Sequence, residues 1–113
     1  MLLLEAGRAE IDPVKLRDYL LSLTHPVGRF KARFFGALGY TADRWWELEA
    51  DLRGQHLTQD AEPGETGPFG QTFTIRANLK GPNGQSAVVL SVWFISRAGG
   101  PARFVTAYPG DTP

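Results

Sequence analysis

An α+β fold, with about three N-terminal helices packed on a C-terminal antiparallel β-meander, is predicted by one change of rhythm along the chain. Up to about residue 53, apolar residues recur at helical spacing; from Gln71 onward they alternate with polar ones; between the two lies a stretch with neither period. With 113 residues there is enough chain for one core, so a single domain over 1–113 is expected.

The elements follow in order. A short strand is expected near Leu2 to Leu4. Asp12-Pro13 reads as an N-cap with proline at the first helical position, and Leu16, Tyr19, Leu20 and Leu23 then give a helix over about 13–23 with those four inward. Pro26 disfavours helical geometry at His25 and so breaks the chain there, and a second helix is expected over about 27–38. At about 100° per residue, Phe30, Phe34, Ala37 and Leu38 fall on its inward stripe, Arg29 and Arg33 on its solvent side and Lys31 on a flank. Gly39 is placed to end it in a left-handed conformation. Thr41 is expected to cap a third helix over about 42–53, with Trp45, Leu48 and Leu52 inward, Gly54 as its stop, and Trp46 off the stripe to cover a neighbour. Residues 55–70, rich in Pro, Gly and acids, read as a loop. Phe73, Ile75, Ala77 and Leu79 mark the first strand of the meander, Gly81-Pro82-Asn83-Gly84 a hairpin turn, and about Gln85 to Ser96 a central strand apolar on both faces. Arg103 to Tyr108 is the last strand.

Composition excludes several functions. No cysteine is present, so there is neither a disulfide framework nor a thiolate metal site, and two distant histidines make no metal-ligand spacing. No metal and no cofactor is expected, because neither a P-loop nor a dinucleotide fingerprint can be placed on the sequence. No apolar run approaches a membrane span, and the protein is expected to be cytoplasmic. Formal charge is zero, yet its distribution is uneven. From Thr24 to Ala42 the only charged residues are Arg29, Lys31 and Arg33, whereas Asp43 to Glu65 holds seven acids.

That basic segment is where chemistry is expected. Metal-free cleavage of RNA requires a base for the 2′-OH proton, an acid for the leaving 5′-oxygen and fixed donors for the phosphate. His25 offers the acid or base. Lys31 and the free N–H groups at the start of the second helix offer the phosphate site, and Arg76, Thr106 and Tyr108 could complete it from the sheet. The residues leave a plainer reading open, in which His25 caps a helix, Lys31 only extends its amine out of the core, and Thr106 and Tyr108 pack. A non-catalytic protein-interaction module, the partner of a neighbouring gene product, also fits the balanced charge.

Several motifs extend across the chain: Lys15-Leu16-Arg17-Asp18-Tyr19-Leu20-Leu21, His25-Pro26-Val27-Gly28 with Lys31-Ala32, Ala37-Leu38-Gly39-Tyr40, Phe69-Gly70-Gln71, Gly81-Pro82-Asn83-Gly84, Val92-Trp93 and Val105-Thr106-Ala107-Tyr108. From about 11 to 109 they resemble a small bacterial domain family similar to the C-terminal modules of polymorphic toxins. Its arrangement is similar to the barnase-EndoU-colicin-RelE (BECR) group of metal-independent ribonucleases. The resemblance implies a ribonuclease-like toxin that acts on RNA and is held in check by a small cognate antitoxin or immunity protein. It carries the catalytic positions onto His25, Lys31 and Thr106. Substrate binding then falls to Gly28, Arg29, Arg33, Arg76, Trp93 and Tyr108. After the motif glycine, where other members have small or polar residues, this chain has Arg29-Phe30. A working site requires His25, Lys31 and Thr106 to converge, with Arg29 and Arg33 outside it.

Overall fold

The computed structural model describes residues 2, 3 and 6–110. After a 3₁₀ turn at Ala6–Arg8, the chain forms a π-wound helix Lys15–Leu20, α1 (Arg29–Gly36), a 3₁₀ turn Ala42–Arg44, and α2 (Trp45–Asp51), which continues into a second π-wound segment, Leu52–His56. Four strands follow: β1 (Glu62–Gly67), β2 (Gly70–Lys80), β3 (Ser86–Ser96) and β4 (Arg103–Pro109). They form one antiparallel sheet in chain order, so the architecture is α+β, helices first and meander second.

Strand alternation builds the core. Phe73, Ile75 and Leu79 of β2, Val89 and Trp93 of β3, and Phe104 and Ala107 of β4 face the helices and pack with Leu16, Leu20, Phe35, Leu48 and Leu52. Residues of the opposite register, Thr74–Val92–Thr106 in one row and Arg76–Leu90–Tyr108 in the next, form the outer face. At the N-terminal end, Asp12 caps its helix as its sequence suggests, its Oδ1 accepting from the Val14 N–H at 2.9 Å.

The hairpin motif does more than turn the chain. Gly84 takes φ +86° and closes the turn onto the Gly81 carbonyl. Asn83 then reaches 46 positions back to the end of α1: its Nδ2 donates to the Ala37 carbonyl at 3.0 Å, and its backbone N–H to that of Leu38 at 3.3 Å. These are carbonyls a helix end otherwise leaves unpaired. Gly39 (φ +99°) and Gly81 make the approach possible; a Cβ on Gly81 would lie 2.0 Å from the Leu38 oxygen.

Several local expectations are corrected. The first helix ends at Leu20, leaving Leu23 exposed. Gly54 does not stop the third helix, which runs through it in π winding so that His56 and Leu57 are buried. Thr41 precedes that helix in extended geometry, but its hydroxyl makes no capping bond. Trp46 is half exposed and meets Trp45 of its own helix edge to face. The 55–70 loop contains β1, whose six residues are all exposed and so leave no apolar alternation to detect. No strand forms over Leu2 and Leu3, and Leu4 lies outside the described residues. Finally, α1 is rotated. Phe30 and Ala37 are exposed, and the inward stripe is Gly28, Ala32, Phe35 and Leu38. The cause is contact with the first helix: a Cβ at Gly28 would lie 2.1 Å from the Tyr19 carbonyl oxygen, so the smallest side chains must face it.

Candidate functional site

The break at Pro26 lets the His25 side chain cap the turn that leads into α1. Its Nδ1 accepts from the backbone N–H of Val27 at 3.0 Å and of Gly28 at 2.9 Å, while its carbonyl accepts from Arg29. Imidazole therefore does here what an aspartate or serine side chain usually does. Two expectations are corrected by this. The N–H groups that lead into α1 are not all open to an anion, because the ring of His25 takes those of Val27 and Gly28 and its carbonyl takes that of Arg29. Nor is Gly28 a substrate contact, since it is buried against Tyr19 and its N–H points at His25. With Nδ1 held as a double acceptor, the neutral ring carries its proton on Nε2. In this geometry His25 can donate a hydrogen bond from Nε2.

Rotation of α1 places Lys31 beside the inward stripe, half-buried, with its Nζ 3.1 Å from the Tyr19 hydroxyl and 3.1 Å from Thr106 Oγ1. Among the described residues it meets no carboxylate. An ammonium has three donors, and two are used, so the third remains for an anion. Tyr19 links the group together: its ring lies edge to face with His25, centroids 4.9 Å apart, and Lys31 Nζ is 5.2 Å from the same ring's centroid. Thr106 is brought in by a bulge. β4 has one residue too many opposite β3 between the Trp93–Phe104 and Val92–Thr106 pairs, and Val105 is the extra one. The expected convergence of Lys31 and Thr106 is thus present across 75 positions of sequence.

Other assigned residues lie elsewhere. Arg29 and Arg33 face solvent, as their helix angles require, with their guanidinium carbons 4.8 and 5.9 Å from the Phe30 ring centroid. Arg76 and Tyr108 share the next row of the outer sheet face, and Arg76 Nε donates to the Gly110 carbonyl at 3.3 Å. Trp93 is corrected outright. It is fully buried on the helix side of the sheet, edge to face with Phe104, its indole N–H donating to Ser91 Oγ at 2.9 Å. It cannot touch a substrate.

Trp93 belongs instead to a buried polar group that the sequence did not reveal. His56 Nδ1 lies 2.8 Å from the same Ser91 Oγ, while its Nε2 has no hydrogen-bond partner among the described residues. Burial pushes the His56 imidazole down to about 4, and the backbone of Ala77 offsets this only in part, from outside hydrogen-bonding geometry. Among the described residues, no three His, Asp or Glu side chains come together in a way that could hold a metal ion. Two hollows lie away from the Lys31 cluster, one of about 310 Å³ beside Gly67, Gly70, Phe73 and Ile95, and one of about 530 Å³ between Leu21, Ala32 and Tyr40. Also among the described residues, no helix is long and apolar enough to cross a membrane.

No curated protein and no solved structure matches the chain. A family profile does, over residues 2–111, which takes in Tyr19, His25, Lys31 and Thr106 together with the hairpin that fixes α1. The chain therefore belongs to the family described as a domain of unknown function, DUF6883.

Proposed function

We propose that this protein is a metal-independent ribonuclease-like toxin domain of the BECR kind, acting in the cytoplasm as one half of a toxin-antitoxin or polymorphic-toxin pair and neutralised by a small cognate protein. One observation carries the reading: a lysine that meets no carboxylate among the described residues, fixed between two hydroxyls that come from a different helix and from the last strand, with an imidazole against the same tyrosine ring. Such a set suits a phosphodiester. The His25 Nε2–H would hold a non-bridging oxygen as charge builds on it, and the third Lys31 proton would face the leaving 5′-oxygen. The 2′-oxygen then attacks the adjacent phosphorus as the bond to the 5′-oxygen breaks. Tyr19 and Thr106 hydroxyls each accept from Lys31 and keep a proton and a lone pair, so either can relay the 2′-OH proton toward solvent while Lys31 protonates the leaving oxygen. The products are a 2′,3′-cyclic phosphate and a 5′-hydroxyl.

The purified protein is expected to cleave RNA in EDTA with cyclic-phosphate ends, and to arrest growth on induction unless Lys31 is replaced. Intact tRNA, rRNA and mRNA after prolonged incubation with wild-type protein would reject the reading. A second reading, a non-catalytic interaction module, is favoured by large exposed apolar side chains, Phe69 at 80% and Trp46 at 52% exposure. Harmless wild-type expression, with loss of a co-purifying partner in Phe69→Ser or Trp46→Ser, is the outcome it expects.

A further inference from the structure

The exposed residue that departs from the pattern after the motif glycine, Phe30, has no structural task. It is 59% exposed on a helix whose other phenylalanines pack inward, and its replacement would remove no core contact. Both neighbouring cations on the same side of α1 nonetheless lie on it, Arg29 at 4.8 Å and Arg33 at 5.9 Å from the ring centroid, and neither meets a carboxylate among the described residues. A guanidinium resting on an aromatic ring loses little of its capacity to pair with an anion at its edge. The result is a flat, apolar and cationic surface one residue from Lys31, in a segment that has no acid from Thr24 to Ala42.

We infer that Phe30, with Arg29 and Arg33, is a stacking platform for an unpaired base of single-stranded RNA, the two arginines holding the phosphates that flank it and directing the chain to Lys31. This rests on the ribonuclease reading and names its substrate class. A ring with two guanidiniums lying on it matches a nucleotide in both parts, the base taking a ring face as a guanidinium turns to the flanking phosphate, and it does so for any sequence, because every base has a π face. A duplex offers only the phosphates, since its bases are already stacked. The shallow setting agrees: the hollows large enough for a small molecule lie elsewhere.

The test uses a short labelled 2′-O-methyl oligonucleotide, which lacks the attacking hydroxyl and cannot be cut, alone and annealed to its complement. Fluorescence anisotropy should show tighter binding of the single strand. Phe30→Ala should weaken that binding about 5- to 100-fold, the usual range for one stacked base, and leave duplex binding unchanged; Phe30→Trp should restore it. Arg29→Gln and Arg33→Gln should each lower the salt dependence by about one phosphate contact. Because Phe30 is exposed, the variants are expected to keep the wild-type thermal midpoint, measured alongside. Equal binding of single strand and duplex, no binding of either, or single-strand binding indifferent to Phe30→Ala would overturn the inference. Cleavage of ordinary RNA is scored separately: Phe30-dependent binding without cleavage rejects the nuclease and keeps the platform, whereas cleavage with Phe30-independent binding does the reverse.

Discussion

With the N–H groups of Val27 and Gly28 both aimed at one nitrogen, His25→Ala would strip the cap and destabilise the fold by about 0.5 to 2 kcal/mol, the usual range for a lost cap. His25→Asn supplies another cap acceptor but no N–H in the position of Nε2. It should therefore recover most of the stability in urea titrations while leaving RNA cleavage impaired; recovery of both would show that the ring only caps. Lys31→Met keeps the stem and removes the charge. Cleavage is expected to fall about 10²-fold or more, as for loss of a fixed donor to a developing oxyanion, with a change in stability of about 1 kcal/mol or less. Lys31 and His25 were legible in the sequence because a cation in an acid-free segment and a histidine before proline are local signals, whereas Thr106 stood out by the family resemblance and by no local pattern. Tyr19 was not legible. Spaced with Leu16, Leu20 and Leu23 it reads as core, and only its hydroxyl, which needs a partner when half-buried, hinted otherwise.

The elements show what local pattern reaches and what it misses. Strands β2 and β4 announce themselves by alternation and by their turns, and β3 by an apolar run between two turns. β1 lies flat at the sheet edge with Pro63 and Gly64 in it, and is held by backbone pairing to β2 that carries no side-chain signature. Rotation of α1 was equally hidden, because it is decided by the Tyr19 carbonyl, which no helical wheel includes. The Gly81-Pro82-Asn83-Gly84 turn was legible as a turn and not as a lock on α1. Its second role predicts that Gly81→Ala, with its Cβ 2.0 Å from the Leu38 oxygen, costs about 2 kcal/mol or more. Asn83→Ala, which removes the bond to Ala37, should cost about 1 to 2 kcal/mol. In chemical denaturation the two losses should add to less than their sum, since both release the same helix end.

At the scale of the whole molecule, His56 ties stability to acidity. Its folded value of about 4 lies below the usual 6.5, so the unfolded chain takes up a proton that the native core refuses. The contribution is fully present above pH 6.5, is lost as pH falls from 6.5 toward 4, and amounts to about 3 kcal/mol in all at 1.36 kcal/mol per unit. Urea unfolding at pH 7 and pH 4.5 should show this slope in wild-type protein and a clearly flatter one in His56→Gln; parallel slopes would assign the acid sensitivity to the carboxylates. The Lys31–Thr106 contact, joined across 75 positions, sets an order in time. As the chain emerges during synthesis, Tyr19, His25 and Lys31 appear early, and the strand that meets them appears after all the rest of the sheet. A nascent or prematurely ended chain therefore holds every early part of the cluster without the threonine that orients its lysine, and the cluster is assembled only once β4 has docked.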